Sequence, residues 1–177
     1  MIDTTERRIY VACLASYNNG RLFGKWIDAE QDAEDIHAEV AAMLAASPEP
    51  GAEEWAIHDY EGFHGLRLGE SESFERVAEL AALLSEHGPA YAAYVEWVGE
   101  DYATPAGFEE AYLGNWDSEQ AYAENFLEDI GAIPDDNSLI SRYFDYAAFT
   151  RDLFMGDCVS IDATGADTGV YVFDRNA

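Results

Sequence analysis

Two hydrophobic periods alternate along this chain, and their order predicts its elements. Residues 8 to 15, from Arg8 to Ala15, carry an apolar run that reads as a mostly buried strand. Ser16-Tyr17-Asn18-Asn19-Gly20 supplies turn chemistry, and Gly24-Lys25-Trp26-Ile27 reads as a second strand. The period then lengthens: Ile36, Val40, Met43 and Leu44 form the apolar side of a helix running from an N-cap at Asp28 to about Ala46. Pro48-Glu49-Pro50-Gly51 ends that helix, and Trp55 to Tyr60 reads as another strand.

Helical spacing dominates the middle of the chain. Ser71 or Ser73 can cap a helix that carries Phe74, Val77, Ala81 and Leu84 on one side. Gly88-Pro89 breaks it, and Tyr91 to Val98 reads as a second helix ending at Gly99, so the two form an αα-hairpin. Thr104-Pro105 marks a further start, with threonine as cap and proline in the first turn, and Gly114 interrupts soon after. Asp117 with Gln120 resembles a capping box ahead of Tyr122, Phe126, Leu127 and Ile130. After a loop at Pro134 to Asn137, Ser138 to Met155 predicts one amphipathic helix bearing Leu139, Tyr143, Tyr146, Ala147, Thr150 and Phe154. Cys158 to Asp162 and Val170 to Phe173 predict a closing hairpin. The fold class is therefore α+β, with three small domains: a mixed unit at 1–65, a helical unit at 66–103 and an α+β unit at 104–177.

Charge changes the picture more than any motif. The chain of 177 residues holds 36 Asp plus Glu against 9 Lys plus Arg, a net charge of −27, and Lys25 is its one lysine. Hydrophobic residues make up 49% and aromatics 14%, which supports a packed core and excludes disorder as the reason for the acidity. Each of the three segments carries an excess of acids, so the charge belongs to a folded surface and not to a tail. Phosphates would be repelled, which excludes nucleic acid as a direct partner and favours basic surfaces. Within helices the acids keep the helical period: Asp32, Asp35 and Glu39; Glu72, Glu75, Glu79 and Glu86; Glu124 and Glu128. Glu109 and Glu110 add to the same surface. Carboxylates four apart lie about 6 Å apart along a helix axis, near the spacing of successive phosphates on one DNA strand. Such like-charge pairs cost roughly 0.2–0.5 kcal/mol each, and few lysines or arginines stand nearby to relieve them. A solvated helix face explains any single row, and halophily also enriches Asp and Glu while depleting Lys.

Catalytic and cofactor motifs are missing from the pattern. His37, His58, His64 and His87 match no zinc spacing, and no CxxC accompanies Cys13 and Cys158, which read as reduced thiols in strands. Asp162 to Gly169 superficially resembles a calcium loop but lacks its third-position ligand and terminal glutamate, so it reads as a hairpin turn. There is no GxSxG, P-loop or GxGxxG. The expectation is a cytoplasmic, non-enzymatic protein that uses no cofactor and no metal and has no membrane segment.

The order of residues carries a further signal. The opening Arg8-Ile-Tyr-Val-Ala-Cys-Leu-Ala-Ser-Tyr-Asn-Asn-Gly-Arg-Leu-Phe-Gly-Lys-Trp-Ile-Asp28 resembles the start of ArdA antirestriction proteins. So does Phe108-Glu-Glu-Ala-Tyr-Leu-Gly-Asn-Trp-Asp-Ser-Glu119, followed by Ala121-Tyr-Ala-Glu124, and Tyr143-Phe-Asp-Tyr-Ala-Ala-Phe-Thr-Arg-Asp-Leu153 completes the resemblance. It implies an elongated, curved three-domain protein that dimerises through its C-terminal domain, where Tyr143, Tyr146 and Phe154 are the candidate contacts. It also implies that surface carboxylates imitate the phosphates of bent B-form DNA. The partners implied are the specificity and modification subunits of type I restriction-modification enzymes, whose DNA groove the protein would fill. The family is typically carried by plasmids and conjugative transposons. The alternative is an acidic, halophile-type protein-binding module without mimicry.

Overall fold

The computed structural model describes residues 6–132 and 139–177, so the expected loop at Pro134 to Asn137 lies outside the described residues. The chain divides into two compact units, Met1–Gly88 and Pro89–Ala177. The cut falls inside the stretch read from sequence as a middle domain. It separates the two helices read as a hairpin.

The first unit holds a three-stranded antiparallel sheet, order β2-β1-β3, built from β1 (Arg8–Cys13), β2 (Gly24–Asp28) and β3 (Trp55–Glu61). Alternation sets its register: Ile9 pairs with Ile27 and Val11 with Ile57, and all four are buried. A bulge between Tyr10 and Val11 lets β3 change pace without moving those side chains off the core face. Gly24 is required at the start of β2, because a Cβ there would stand 2.4 Å from the carbonyl oxygen of Val11. Helix α2 (Ala33–Ala45) buries Ile36, Val40 and Met43, while Leu44 is half-buried. Helix α3 (Phe74–His87) buries Phe74, Val77, Leu80, Ala81 and Leu84, and Trp55 stacks on Phe74 at 4.3 Å between ring centres. Ser73 is its cap, accepting from the Arg76 amide.

Three local expectations change here. Asp28 does not cap α2; it ends β2, and its carboxylate accepts from the Glu30 amide at 2.8 Å. Asp32 occupies the N-cap position without a side-chain cap bond. The turn expected after β1 begins as a short helix, α1 (Leu14–Asn18). Glu72 precedes α3 and faces the Gly69 amide across a turn, so it is not part of the helical row.

The second unit starts with α4 (Pro89–Val98) and α5 (Pro105–Ala111), the latter capped by Thr104 as its sequence requires. A second antiparallel sheet, order β4-β6-β5, joins β4 (Tyr112–Trp116), β5 (Cys158–Asp162) and β6 (Val170–Asp174). Phe173 on β6 is wholly buried among the rings of Tyr94, Trp97, Phe108 and Tyr112. Tyr122, Ala123, Leu153, Cys158 and Val172 form an adjoining cluster, against which Phe126 and Phe154 pack. The β5–β6 turn is closed by Tyr171, whose hydroxyl donates to Asp167 at 2.8 Å. Gly169 in that turn sits at φ +81°, and a Cβ there would meet the Trp116 carbonyl oxygen at 2.1 Å.

Sequence periodicity misplaced four features of this unit. Gly114 interrupts nothing; it lies in strand β4, and its φ of +115° accompanies a register shift against β6. The cap of α6 (Glu119–Asp129) is Ser118, accepting from the Ala121 amide at 3.1 Å, not Asp117. The single long helix is two, α7 (Leu139–Tyr143) and α8 (Tyr146–Gly156), because Asp145 caps the second by accepting from the Ala148 amide. Ile130 just follows α6 and is exposed, not buried with Tyr122 and Leu127. The strand placement of both cysteines holds: Cys13 and Cys158 are buried free thiols, one in each unit.

Candidate functional site

Carboxylates are placed on the outside throughout. Among the described residues no Asp or Glu is buried; the buried polar side chains are Arg7, Ser16 and Thr150. Of the acids singled out from sequence, Asp32, Asp35, Glu75, Glu79, Glu86, Glu109, Glu110 and Glu128 are exposed, while Glu39, Glu72 and Glu124 are half-buried. Each half-buried one has a neutral or cationic neighbour: Gln120 donates to Glu124, the Gly69 amide faces Glu72, and Lys25 and Gln31 both donate to Glu39.

Four of these acids converge. An open groove of about 860 Å³ runs beside α2 and α3, lined by Asp32 and Asp35 on one wall and by Glu79 and Glu86 on the other. Small residues, Ala33, Ala78, Ala82 and Ser85, keep its floor accessible. Glu30 joins the rim and was missed from sequence, because it belongs to the connection before α2 and follows no helical period. Glu109 and Glu110 on α5, and Glu124 and Glu128 on α6, belong to the second unit. They are not gathered into that groove.

Seven of the nine cations are engaged within the fold, while Arg67 and Arg142 are exposed. Arg7 is 4% exposed; its guanidinium donates to the Leu84 carbonyl oxygen at 2.9 Å and pairs with Glu30. Arg175 donates to the carbonyl oxygens of Phe154 and Cys158, at 3.2 and 3.0 Å. Arg8 pairs with Glu61, Arg21 with Glu49, Lys25 with Glu39, Arg76 with Glu79 and Arg151 with Asp152. Burying Arg7 on the Leu84 carbonyl removes one positive charge from the surface while satisfying an acceptor at the end of α3. With 36 acids against 9 cations, the acids far outnumber the groups that could pair with them.

Glu39 titrates below the ordinary carboxylate range, chiefly because Lys25 donates to it and secondarily because Gln31 does. A depressed folded-state value adds stability above the ordinary carboxylate range, and this is lost as pH falls through the depressed value. Replacing Lys25 with Met should raise the Glu39 pKa toward that ordinary range in a carboxyl-detected NMR titration. An unchanged Glu39 value would show that the ion pair does not hold it.

The candidate dimer residues lie on α7 and α8. Tyr143 is 83% exposed on α7, whereas Tyr146 and Phe154 are half-buried. Tyr146 packs edge-on against Phe144 at 4.9 Å, and Phe154 lies 6.0 Å from the Tyr122 ring, within its own unit. The Asp162 to Gly169 segment is the β5–β6 turn.

The model of one family, Antirestriction protein (ArdA), matches residues 9–167 of this chain. The chain belongs to the ArdA antirestriction family. No curated protein matches it. The ArdA match spans both structural units and all three segments that carried the resemblance in sequence. The acidic surface is thus the surface of an ArdA antirestriction protein. Among its described residues, no helix is long and apolar enough to cross a membrane.

Proposed function

We propose that this ArdA protein inhibits type I restriction-modification enzymes by presenting its carboxylates where the enzyme binds DNA phosphates. The observation that carries the reading is the one-sided charge economy of the fold. Every described carboxylate reaches the surface, while arginines are drawn onto carbonyl oxygens and into ion pairs. B-DNA carries one charge per roughly 1.7 Å of axis, so a groove built for it attracts a dense array of unrelieved negative groups. The load is spread over the acids named above, and the protein acts by stoichiometric occupancy, with no turnover and no cofactor. Its partners are the specificity and modification subunits. It works as a homodimer joined through the second half of the chain, where Tyr143 is the most exposed of the candidate contacts. The three-domain layout at 1–65, 66–103 and 104–177, an elongated shape and a cytoplasmic site of action belong to the same proposal.

Competition tests it. The purified protein is titrated against a type I modification enzyme bound to labelled target DNA, at two salt concentrations. Displacement near stoichiometry that weakens as salt rises supports mimicry, because surface attraction is screened over roughly 8–10 Å in 0.10–0.15 M salt. Failure to displace DNA in either salt would leave the acidic surface in need of another partner. The halophile reading separates on folding: it requires unfolding below about 0.5 M salt, where an ordinary acidic surface is already screened.

A further inference from the structure

We propose that the open face of the first sheet is a receptor for an arginine side chain of the target enzyme, so that the protein offers ring stacking as well as negative charge. This rests on the mimicry reading and names a second kind of contact within it. Cross-strand pairing puts Tyr10, Trp26, Arg8, Asp28, Asp59 and Glu61 on one side of the sheet, opposite the face that carries Ile9, Ile27, Val11 and Ile57. Tyr10 and Trp26 are half-buried, and their ring centres are 5.5 Å apart. Asp28, Asp59 and Glu61 are exposed around them. The protein's own Arg8 displays the binding geometry. Its guanidinium stands 4.9 Å from the Trp26 ring centre, and it reaches Glu61 through both Nε and a terminal nitrogen at 2.8 Å.

Planar cations stack on indole while forking onto carboxylates, which an ammonium group cannot do in the same way. A cleft of about 310 Å³ opens beside this arrangement, between Glu6, Asp28 and Glu30 on its acidic side and Trp26 at its apolar side. Arg7 and Arg8 line it too, but the Arg7 guanidinium is already paired with Glu30 and the Leu84 carbonyl, and that of Arg8 with Glu61. The carboxylates of this face and cleft outnumber its two arginines, so a further cation is favoured there. DNA-binding grooves are rich in arginine, since its fork matches phosphate. An arginine that docks here takes the place of Arg8, meeting a carboxylate in place of phosphate and the Trp26 ring in place of a base face.

The test pairs Trp26→Leu with Trp26→Phe in the DNA-displacement titration. Leucine should weaken inhibition about 5- to 10-fold, phenylalanine should retain most of it, and neither should change the salt slope, because no charge is altered. Wild-type failure to displace DNA would sink the mimicry reading itself. Wild-type displacement that both variants match, or that both lose equally, would overturn the arginine receptor alone. Should leucine at this position lower the melting temperature, the unaltered protein decides. A tetra-arginine peptide should bind at least 3-fold more tightly than tetra-lysine and shift the Trp26 indole resonance; equal binding without that shift overturns the proposal.

Discussion

Neutralising Asp32, Asp35, Glu79 and Glu86 together, to Asn and Gln, should weaken inhibition of a type I enzyme by roughly 10- to 100-fold at low salt. These four acids line one groove beside α2 and α3, so a partner surface meets them at once and not singly. Each exposed charge contributes only about 0.2–1 kcal/mol, which is why one substitution such as Glu79→Gln should do little and four should do much. Stability should change little. Relief of like-charge repulsion is offset by loss of the Arg76–Glu79 pair and of the acids at the start of α2, so the melting temperature of the quadruple variant should hold. Weaker inhibition in a protein no less stable is the expected pair of readings, from displacement titration and thermal melting. A variant that inhibits as well as the parent would move the contact surface away from this groove. Abolition by Glu79→Gln alone would instead end the shared-load picture.

The largest stability effect should come from Phe173→Ala, at about 3–5 kcal/mol. Phe173 is wholly enclosed by Tyr94, Trp97, Phe108 and Tyr112, which come from α4, α5 and β4. Truncation leaves a cavity walled by large rigid rings, and such a site collapses poorly. Urea unfolding followed by circular dichroism would show the loss as a lower midpoint. Met155→Ala is the matched control: Met155 is 73% exposed, and its truncation should stay within about 0.5 kcal/mol. Equal midpoints for the two variants would mean that Phe173 is not the keystone of this unit.

Features that depend on near neighbours were readable from the sequence, and those that depend on distant pairing were not. Thr104 and Ser73 cap their helices as their positions suggest, because a cap bond joins residues three apart. The strands at Ile9, Ile27 and Ile57 follow from short apolar runs bounded by turn residues. Strand β4 was hidden because its partner, β6, is more than fifty residues away, and Gly114 reads locally as a breaker. The division of the last helix was hidden for another reason. Apolar spacing continues through Phe144 and Asp145, and only the bond from the Ala148 amide to Asp145 shows where one helix stops and another starts. For the candidate site, Asp35, Glu75, Glu79 and Glu86, read from the helical period, are exposed. That period could not foresee that Lys25 would cover part of Glu39, or that Glu30 would join the groove from a loop.

The two buried thiols have a consequence for following the molecule in motion. Cys13 ends β1 in the first unit, and Cys158 begins β5 in the second. Each half of the chain therefore carries one thiol that an alkylating reagent meets only when that half opens. Native-state labelling, resolved by mass spectrometry of the two cysteine peptides, separates the opening free energies of the halves without any engineered probe. Performed with and without the restriction enzyme, the same two rates report which half the partner clamps shut.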